Sequence, residues 1–170
     1  KKHKEAEVLL RISENNLSKT EELAHLGNCE IDIKTGICRC SKEFYKIFGL
    51  KPEKFNPTLK NIINLAEPSE KKELKNAIDG LIKTKENFDL VIKFKCSDSS
   101  LKTIHCVGEL FISNRKKYDK IILAVHDVTD LIETKKALEK VEKEKSMILD
   151  STSELFLFYN KDLRIKWANN

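Results

Sequence analysis

Long apolar runs are missing from this sequence, and their absence limits where the chain can work. No apolar run exceeds about five residues, whereas a membrane-spanning helix needs about 20. The first residues mix Lys with Glu and form no secretory leader. The sequence also begins without Met and stops just after a strand pattern starts. We therefore expect a soluble, cytoplasmic fragment without membrane contact, taken from a larger protein in which any membrane anchor lies elsewhere.

Arginine is scarce as well, although the net charge is +5. The 32 basic residues include only Arg11, Arg39, Arg115 and Arg164 as arginines. Proteins that read nucleic acids favour Arg for bidentate contacts and concentrate their positive charge. Here Lys alternates with Glu along the predicted helices, as on a solvated surface. We expect no nucleic-acid partner.

The five cysteines are an odd number and are scattered through the chain. Without a secretory leader, reduced thiols are the simplest interpretation. Cys38 and Cys40 would share one face of a strand, with Cys29 on a neighbouring strand, so a thiolate cluster remains an alternative. A fourth ligand at a recognisable spacing is missing, and we predict small buried side chains in place of a metal site.

Catalytic motifs are absent too. The sequence lacks a Gly-rich phosphate loop, a His-Glu-x-x-His pair and a Gly-x-Ser-x-Gly turn. Of its four histidines, His3, His25, His105 and His126, none has a Ser or Cys partner at a motif spacing. We predict no catalytic residue and surface or junction histidines, with pH sensing by His126 as the alternative.

What the sequence does contain is a clear alternation of element types. Apolar positions from Lys4 to Leu23 predict an N-terminal helix that ends at Gly27. Alternation then predicts a strand over 28–33 and a second strand from Ile37 to Cys40, joined by a turn that ends at Gly36.

Three helices and three strands are predicted next. Ser41 can cap a short helix, another begins near Thr58, and the strongest follows Pro68 and ends near Lys85. The apolar stripe of that third helix is Leu74, Ala77, Ile78, Leu81 and Ile82. Alternating patterns predict strands from Phe88, Ile104 and Ile121. Two early and three late strands around a helical middle predict an α+β fold, a single five-stranded antiparallel sheet packed on one side by helices.

A pocket between sheet and helices is the one place where this fold could bind a small molecule. The same residues would fill an ordinary core, which is the favoured interpretation. The candidate lining residues are Ile31, Phe44, Phe48, Ile62, Ile78, Ile92, Ile104, Cys106, Leu123 and Val125.

The last strand runs directly into Asp127, Val128, Thr129 and Asp130, which open a helix rich in Lys and Glu. The Asp127 carboxylate or the Thr129 hydroxyl can accept from the first amides of that helix, and Asp130 adds favourable charge there. An ordinary helix cap is the plain interpretation of these residues. A signal-relay junction between strand and helix is the functional one.

These patterns resemble a known family. The segment from Ala24 to Asp32 is similar to the Ala-x-x-Gly-x-Trp-x-x-Asp opening of one PAS subgroup, with Cys29 in place of Trp. The segment from Ser41 to Leu50 is similar to Ser-x-x-x-Tyr-x-Ile-Phe-Gly, and Asp127-Val128-Thr129-Asp130 resembles the Asp-Ile-Thr-Glu type ending. The resemblance implies the PAS fold, in which the last strand passes into a signalling helix.

The resemblance also implies a domain organisation. We expect an N-terminal helix over 1–26, a PAS sensory domain over 27–127 and a linker helix over 128–153. Residues 154–170 repeat the helix, strand, turn and strand order and resemble the truncated start of a second PAS domain. The linker carries a weak heptad seam at Leu131, Thr134, Leu138, Val141, Lys145, Ile148 and Thr152.

The function implied by the resemblance is sensory and non-catalytic. We expect a dimeric PAS segment of a two-component sensor histidine kinase, whose ATP-dependent kinase part lies outside this chain. Partners would be a second copy through the flanking helices, adjacent PAS and output domains, and a small-molecule ligand. The cofactor is unknown. Haem is disfavoured because the helix after Pro68 lacks His, and flavin because an Asn-Cys-Arg-Phe-Leu motif is absent. The alternatives are a ligand-free interaction module of a diguanylate cyclase or chemoreceptor-type protein and, less favoured, a small α+β enzyme.

Overall fold

The structure, a computed structural model, describes residues 2–112, 119–151 and 157–168. It divides into two compact units, 1–129 and 130–170, which are described separately. The elements in chain order are α1 (Lys2–Ala24), β1 (Leu26–Asp32), β2 (Cys38–Cys40), α2 (Lys42–Ile47), α3 (Leu59–Leu65), α4 (Lys71–Thr84), β3 (Phe88–Lys95), β4 (Leu101–Ile112), β5 (Asp119–Asp127), α5 (Thr129–Ser151), β6 (Leu157–Tyr159) and β7 (Ile165–Ala168).

The first unit is built on a five-stranded antiparallel sheet with the strand order β2-β1-β5-β4-β3. Within this sheet the first strand, β1, thus pairs with β5, the last to occur in the chain. The helices α2, α3 and α4 lie between β2 and β3 in the chain. One face of the sheet and the helices α2, α3 and α4 bury a single apolar cluster. The predicted α+β fold, a five-stranded antiparallel sheet with helices, is confirmed.

Local signals account for most of the helix ends. The Ser41 hydroxyl accepts a hydrogen bond from the Phe44 amide at 3.2 Å and caps α2. Thr58 caps α3 in the same way through the Asn61 amide. Lys85 adopts a left-handed conformation (φ 62°) directly after α4, as predicted for the end of that helix. In α4 the residues Leu74, Ile78 and Leu81 are buried, whereas Ile82 lies at the exposed margin of the stripe.

The end of α1 differs from the prediction. The helix ends at Ala24 instead of Gly27, and His25 adopts the left-handed conformation (φ 51°) directly after it. Gly27 instead lies inside β1 and is buried. A Cβ atom built on Gly27 would lie 2.7 Å from the Cα atom of Phe44. Gly is needed there because α2 lies directly against the strand.

The second strand is also shorter than predicted. Ile37 was assigned to it, but β2 begins at Cys38. Ile37 forms an isolated bridge with Thr58 instead, and its side chain is 62% exposed.

The second unit contains α5 from Asp130 onward and a hairpin of β6 and β7. The predicted strand, turn and strand are present, with the rings of Phe158 and Trp167 packed edge to face at 5.9 Å. Thr152 of the predicted heptad seam, and residues 154–156 at the start of the repeat predicted over 154–170, lie outside the described residues. Leu131, Leu138, Val141 and Ile148 of the predicted seam are exposed on α5.

Among the residues that the structure describes, no helix combines the length and the apolar composition required to cross a membrane.

Candidate functional site: the sheet interior and the Asp127 junction

The sheet interior contains all ten residues predicted to line a pocket. Each is at most 1% exposed, and all ten belong to one cluster between the sheet and the helices. Aromatic rings fill its centre. Phe44 and Phe48 have ring centroids 4.7 Å apart, and Phe48 and Phe94 have centroids 5.1 Å apart. Phe94 was not among the predicted lining residues, although it follows the same alternation as Ile92.

The chemistry of this interior is apolar. Burial raises the pKa of the Cys106 thiol to about 12, so this thiol stays protonated at neutral pH. On the surface, a cavity of about 660 Å³ lies at the C-terminal end of β1, beside Asp32, Arg39 and Lys120. Another of about 470 Å³ lies beside Thr58 and Lys75. Neither cavity is lined by any of the ten predicted residues.

One buried carboxylate lies where α1 meets the domain. The side chain of Glu43 is 8% exposed, and its Oε2 atom lies 3.2 Å from Lys46 Nζ. The Lys46 ammonium also lies 2.7 Å from Glu22 Oε1 at the end of α1. His25 Nδ1 is 3.6 Å from the other Glu43 oxygen. These charges join the end of the N-terminal helix to α2.

The junction after β5 is a connected polar network. Asp127 Oδ1 accepts hydrogen bonds from the Thr129 amide at 3.1 Å and from the Thr129 hydroxyl at 2.6 Å. The Thr129 hydroxyl oxygen accepts from the Thr103 amide at 2.9 Å, and the Val128 amide donates to the Thr103 carbonyl at 3.0 Å. Lys102 Nζ lies 2.9 Å from Asp127 Oδ2. The first residue of α5 is therefore hydrogen bonded to β4 as well as to β5.

Electrostatics keep Asp127 ionised. Partial burial alone would raise the pKa of this carboxyl group, but the hydrogen bonds from Thr129 and Lys102 outweigh that effect and lower it. The same contact raises the pKa of Lys102 against the opposing effect of burial. Asp130, the third predicted junction residue, is exposed in the first turn of α5 and contributes its charge to the helix N-terminus.

Lys102 and Thr103 were missed by the sequence analysis, and the strand register explains why. Ile104 pairs with Asp127, the last residue of β5, so the first residues of β4, including Lys102 and Thr103, extend beyond the end of β5. This extension lies beside Val128 and Thr129. In the sequence these two residues are only the start of an alternating strand. No neighbouring residue in the sequence marks Lys102 and Thr103 as part of the junction.

Of the histidines in the first unit, His25 is exposed and His105 and His126 are half-buried. His105 and His126 are directly opposed across β4 and β5, on the sheet face away from the core. His105 Nε2 lies 2.6 Å from Asp89 Oδ1. In the ranges 2–112, 119–151 and 157–168, no group of three or more His, Cys, Asp or Glu side chains is arranged to hold a metal ion. His3 lies at the start of α1.

The family described as PAS fold matches residues 37–125, which is more than half of the chain. The chain belongs to the PAS family. The matched region begins at Ile37, directly before β2, and ends two residues before Asp127. It contains nine of the ten predicted pocket residues, all except Ile31 on β1.

Solved structures of PAS domains share the fold at low sequence identity. A sensory box histidine kinase/response regulator from Burkholderia thailandensis E264 has a TM-score of 0.60 and 17% identity, covering 75% of this chain and 95% of that one. The N-terminal domain of a diguanylate cyclase with a PAS/PAC sensor from Marinobacter aquaeolei has a TM-score of 0.55 and 10% identity, covering 61% and 95%. A PAS domain from Colwellia psychrerythraea has a TM-score of 0.55 and 11% identity, covering 68% and 97%. No curated protein matches the chain.

Proposed function

We propose that this chain is a sensory PAS segment that relays a change in the sheet interior to α5, as a homodimer in a sensor histidine kinase. The interior, the strand β5 and the Asp127 junction form the relay. A rearrangement of the core moves Leu123 and Val125, which lie on β5 among the buried residues. The end of the same strand contacts the first turn of α5.

The observation that carries this proposal is the network of Lys102, Asp127, Thr129 and Thr103. An isolated helix cap needs only the Asp127 and Thr129 contacts. The additional bonds from Lys102 and Thr103 tie the helix start to a second strand, so a shift between β4 and β5 changes the geometry of the helix start. Such a switch requires two states that differ by only a few kcal/mol.

The exposed apolar residues of the helices support a dimer. Leu131, Leu138, Val141 and Ile148 lie seven, three and seven residues apart on α5 and are all exposed in a single chain. Pairing of this seam with a second copy would bury these side chains. The seam also contains Thr134 and Lys145, which makes it weak and suited to a change of register.

The packed interior favours a second candidate, an interaction module without a ligand. The ten candidate residues are already buried against one another, as in an ordinary core. In that case the input is a partner protein or domain, and the output domain is that of a diguanylate cyclase or chemoreceptor-type protein. Thermal denaturation with a library of small apolar and amphipathic compounds separates the two candidates, because only a receptor gains stability from its ligand.

The relay is tested in the full-length parent protein. Autophosphorylation from ATP is measured in the unmodified protein, in Asp127→Ala and in the matched control Asp130→Ala, which removes the same charge from the same helix end. We expect Asp127→Ala to uncouple stimulus from phosphorylation and Asp130→Ala to retain the coupling. A folded Asp127→Ala protein with normal signalling would overturn the relay, whereas a parent without any phosphorylated His would overturn only the assignment to the kinases.

A further inference from the structure

Three cysteines converge at the β1–β2 edge of the sheet. Cys29 and Cys40 are directly opposed across the antiparallel pair, and Cys38 opposes Ile31 two residues further along. The Asp32 amide donates to the Ile37 carbonyl, and the Ser41 amide donates to the Asn28 carbonyl. Because hydrogen-bonded and non-hydrogen-bonded pairs alternate, Cys29 and Cys40 form a non-hydrogen-bonded pair.

That pairing type places the two side chains close together. In a non-hydrogen-bonded pair the Cα atoms are about 4.5 Å apart, which lies within the range that a disulfide spans. The Sγ atoms of Cys29 and Cys40 lie 3.1 Å apart as free thiols. Since a disulfide bond is about 2.05 Å long, oxidation would require an approach of only about 1 Å.

We propose that Cys29 and Cys40 are a peroxide-oxidisable dithiol that forms a reversible disulfide within the chain. Cys40 is the half-buried member and is the thiol that meets the oxidant, whereas Cys29 is 0% exposed and attacks from inside the core. The oxidant is hydrogen peroxide.

The chemistry balances in two steps. The Cys40 thiolate attacks one peroxide oxygen, an S–O bond forms, the O–O bond breaks, and hydroxide leaves and takes up the proton released by Cys40 to become water. The Cys29 sulfur then attacks the Cys40 sulfenic acid, the S–S bond forms, the S–O bond breaks, and the second water leaves with the Cys29 proton. Two thiols lose two electrons and one peroxide gains them.

Geometry distinguishes this pair from the remaining cysteines. Hydrogen bonding with Cys38 and Cys40, together with burial, raises the pKa of the Cys29 thiol, and the hydrogen bond from Cys29 lowers the pKa of Cys38. Cys38 is buried and opposes Ile31 across the strand pair, whereas Cys40 is half-buried and opposes Cys29 directly, so Cys40 is the thiol that both meets the oxidant and reaches Cys29. The sulfur atoms of Cys96 and Cys106 contact the backbone carbonyls of Ile47 and Ile104, and burial raises the pKa of both thiols. The pair does not depend on the signalling relay, because it is defined by the register of β1 and β2 alone.

Peptide mapping tests the proposal directly. The sequence separates the three thiols, since trypsin cleaves after Lys19, Lys34, Arg39 and Lys42 and places Cys29, Cys38 and Cys40 in the peptides 20–34, 35–39 and 40–42. The reduced 170-residue chain is treated with a small excess of hydrogen peroxide, alkylated at acidic pH and digested without reductant. We expect peptide 20–34 linked to peptide 40–42, a fall from five free thiols to three, and full recovery with dithiothreitol.

Variants separate this pair from general oxidation. Cys40→Ser should abolish the link, whereas Cys38→Ser and the distant control Cys96→Ser should retain it. A link from Cys29 to Cys38, links between chains only, or equal oxidation of Cys96 would overturn the proposal. If Cys40→Ser fails to fold, the map of the unmodified chain and of Cys38→Ser decides the question by itself.

Discussion

Lys102 Nζ lies 2.9 Å from Asp127 Oδ2, and this contact joins the start of β4 to the last residue of β5. It matters because Asp127 also accepts two hydrogen bonds from Thr129, the first residue of α5. One carboxylate therefore holds two strands and a helix together. With 32% and 24% of their side chains exposed, the two residues are shielded enough for the pair to contribute more than an ordinary surface ion pair.

Asp127→Asn is expected to lower the free energy of unfolding by about 1 kcal/mol at pH 7. The pKa of Asp127 is lowered in the folded state, so its ionised form stabilises the fold above the ordinary carboxyl pKa of about 3.9. This contribution is lost as the pH falls through the lowered pKa. Urea denaturation of both proteins from pH 7 to pH 3 should show the difference shrinking towards acid. A difference that grows in acid would contradict the lowered pKa.

Thr129→Val keeps the shape of the side chain and removes its hydroxyl. The Thr103 amide then loses its acceptor, and Asp127 loses the shortest of its hydrogen bonds. We expect a loss of about 1–3 kcal/mol in chemical denaturation because a partly buried donor is left unsatisfied. Thr20→Val is the matched control, because Thr20 is exposed on α1 and its hydroxyl bonds only the Asn16 carbonyl of the same helix; it should change stability by less than about 0.5 kcal/mol. Equal effects at both positions would argue against the network.

Gly27→Ala should destabilise the protein by about 1–3 kcal/mol, since the new Cβ would lie 2.7 Å from backbone that cannot easily move. Gly80→Ala is the control, because that glycine lies inside α4 with no neighbouring atom within 4 Å of an added Cβ. It should stabilise by about 0.5–1 kcal/mol through helix propensity. The two changes in stability, expected to have opposite signs, are measured by thermal denaturation. If Gly27→Ala left the stability unchanged, α2 would not pack directly against β1.

Ile62→Ala tests whether the interior is a filled core. Ile62 is 1% exposed, and its truncation should cost about 2–5 kcal/mol. Ile37→Ala removes the same atoms from a side chain that is 62% exposed and should cost far less. If both variants lost a similarly small part of the free energy of unfolding in urea denaturation, the residues around Ile62 would line an open cavity instead of a filled core.

Leu138→Lys should turn the expected dimer into a monomer, because it places a charge at an apolar position of the proposed α5 seam. Glu139→Lys, at the neighbouring exposed position outside the seam, is the control and should leave the dimer intact. Light scattering after size exclusion gives the mass of each variant. A monomeric unmodified chain, or a dimer that survives Leu138→Lys, would remove α5 from the interface.

Much of the fold was predictable because its signals are local. The alternation of Phe88, Leu90, Ile92 and Phe94 requires only that one face of a strand be buried. The stripe of α4 follows from helical periodicity in the same way. The caps at Ser41 and Thr58 depend on residues three positions apart.

The turn at His25 was missed because a non-glycine residue occupies the left-handed conformation and Gly27, two residues later, looked like the usual helix terminator. The actual reason for Gly27 is the approach of Phe44, which is distant in sequence. The contribution of Lys102 was missed for a related reason. Its partner Asp127 is 25 residues away, and only the register of β4 with β5 brings the two together.

The amino-acid sequence on its own determined the kind of each element, the buried face of each strand and the polar residues at the start of α5, since these depend on neighbours within a few positions. The tertiary structure alone decided that Cys29 opposes Cys40, that Phe44 packs against Gly27 and that Lys102 contacts Asp127. Pairing register sets which side chains of neighbouring strands touch, and a shift of one residue would turn the side chains of the shifted strand to the opposite face of the sheet.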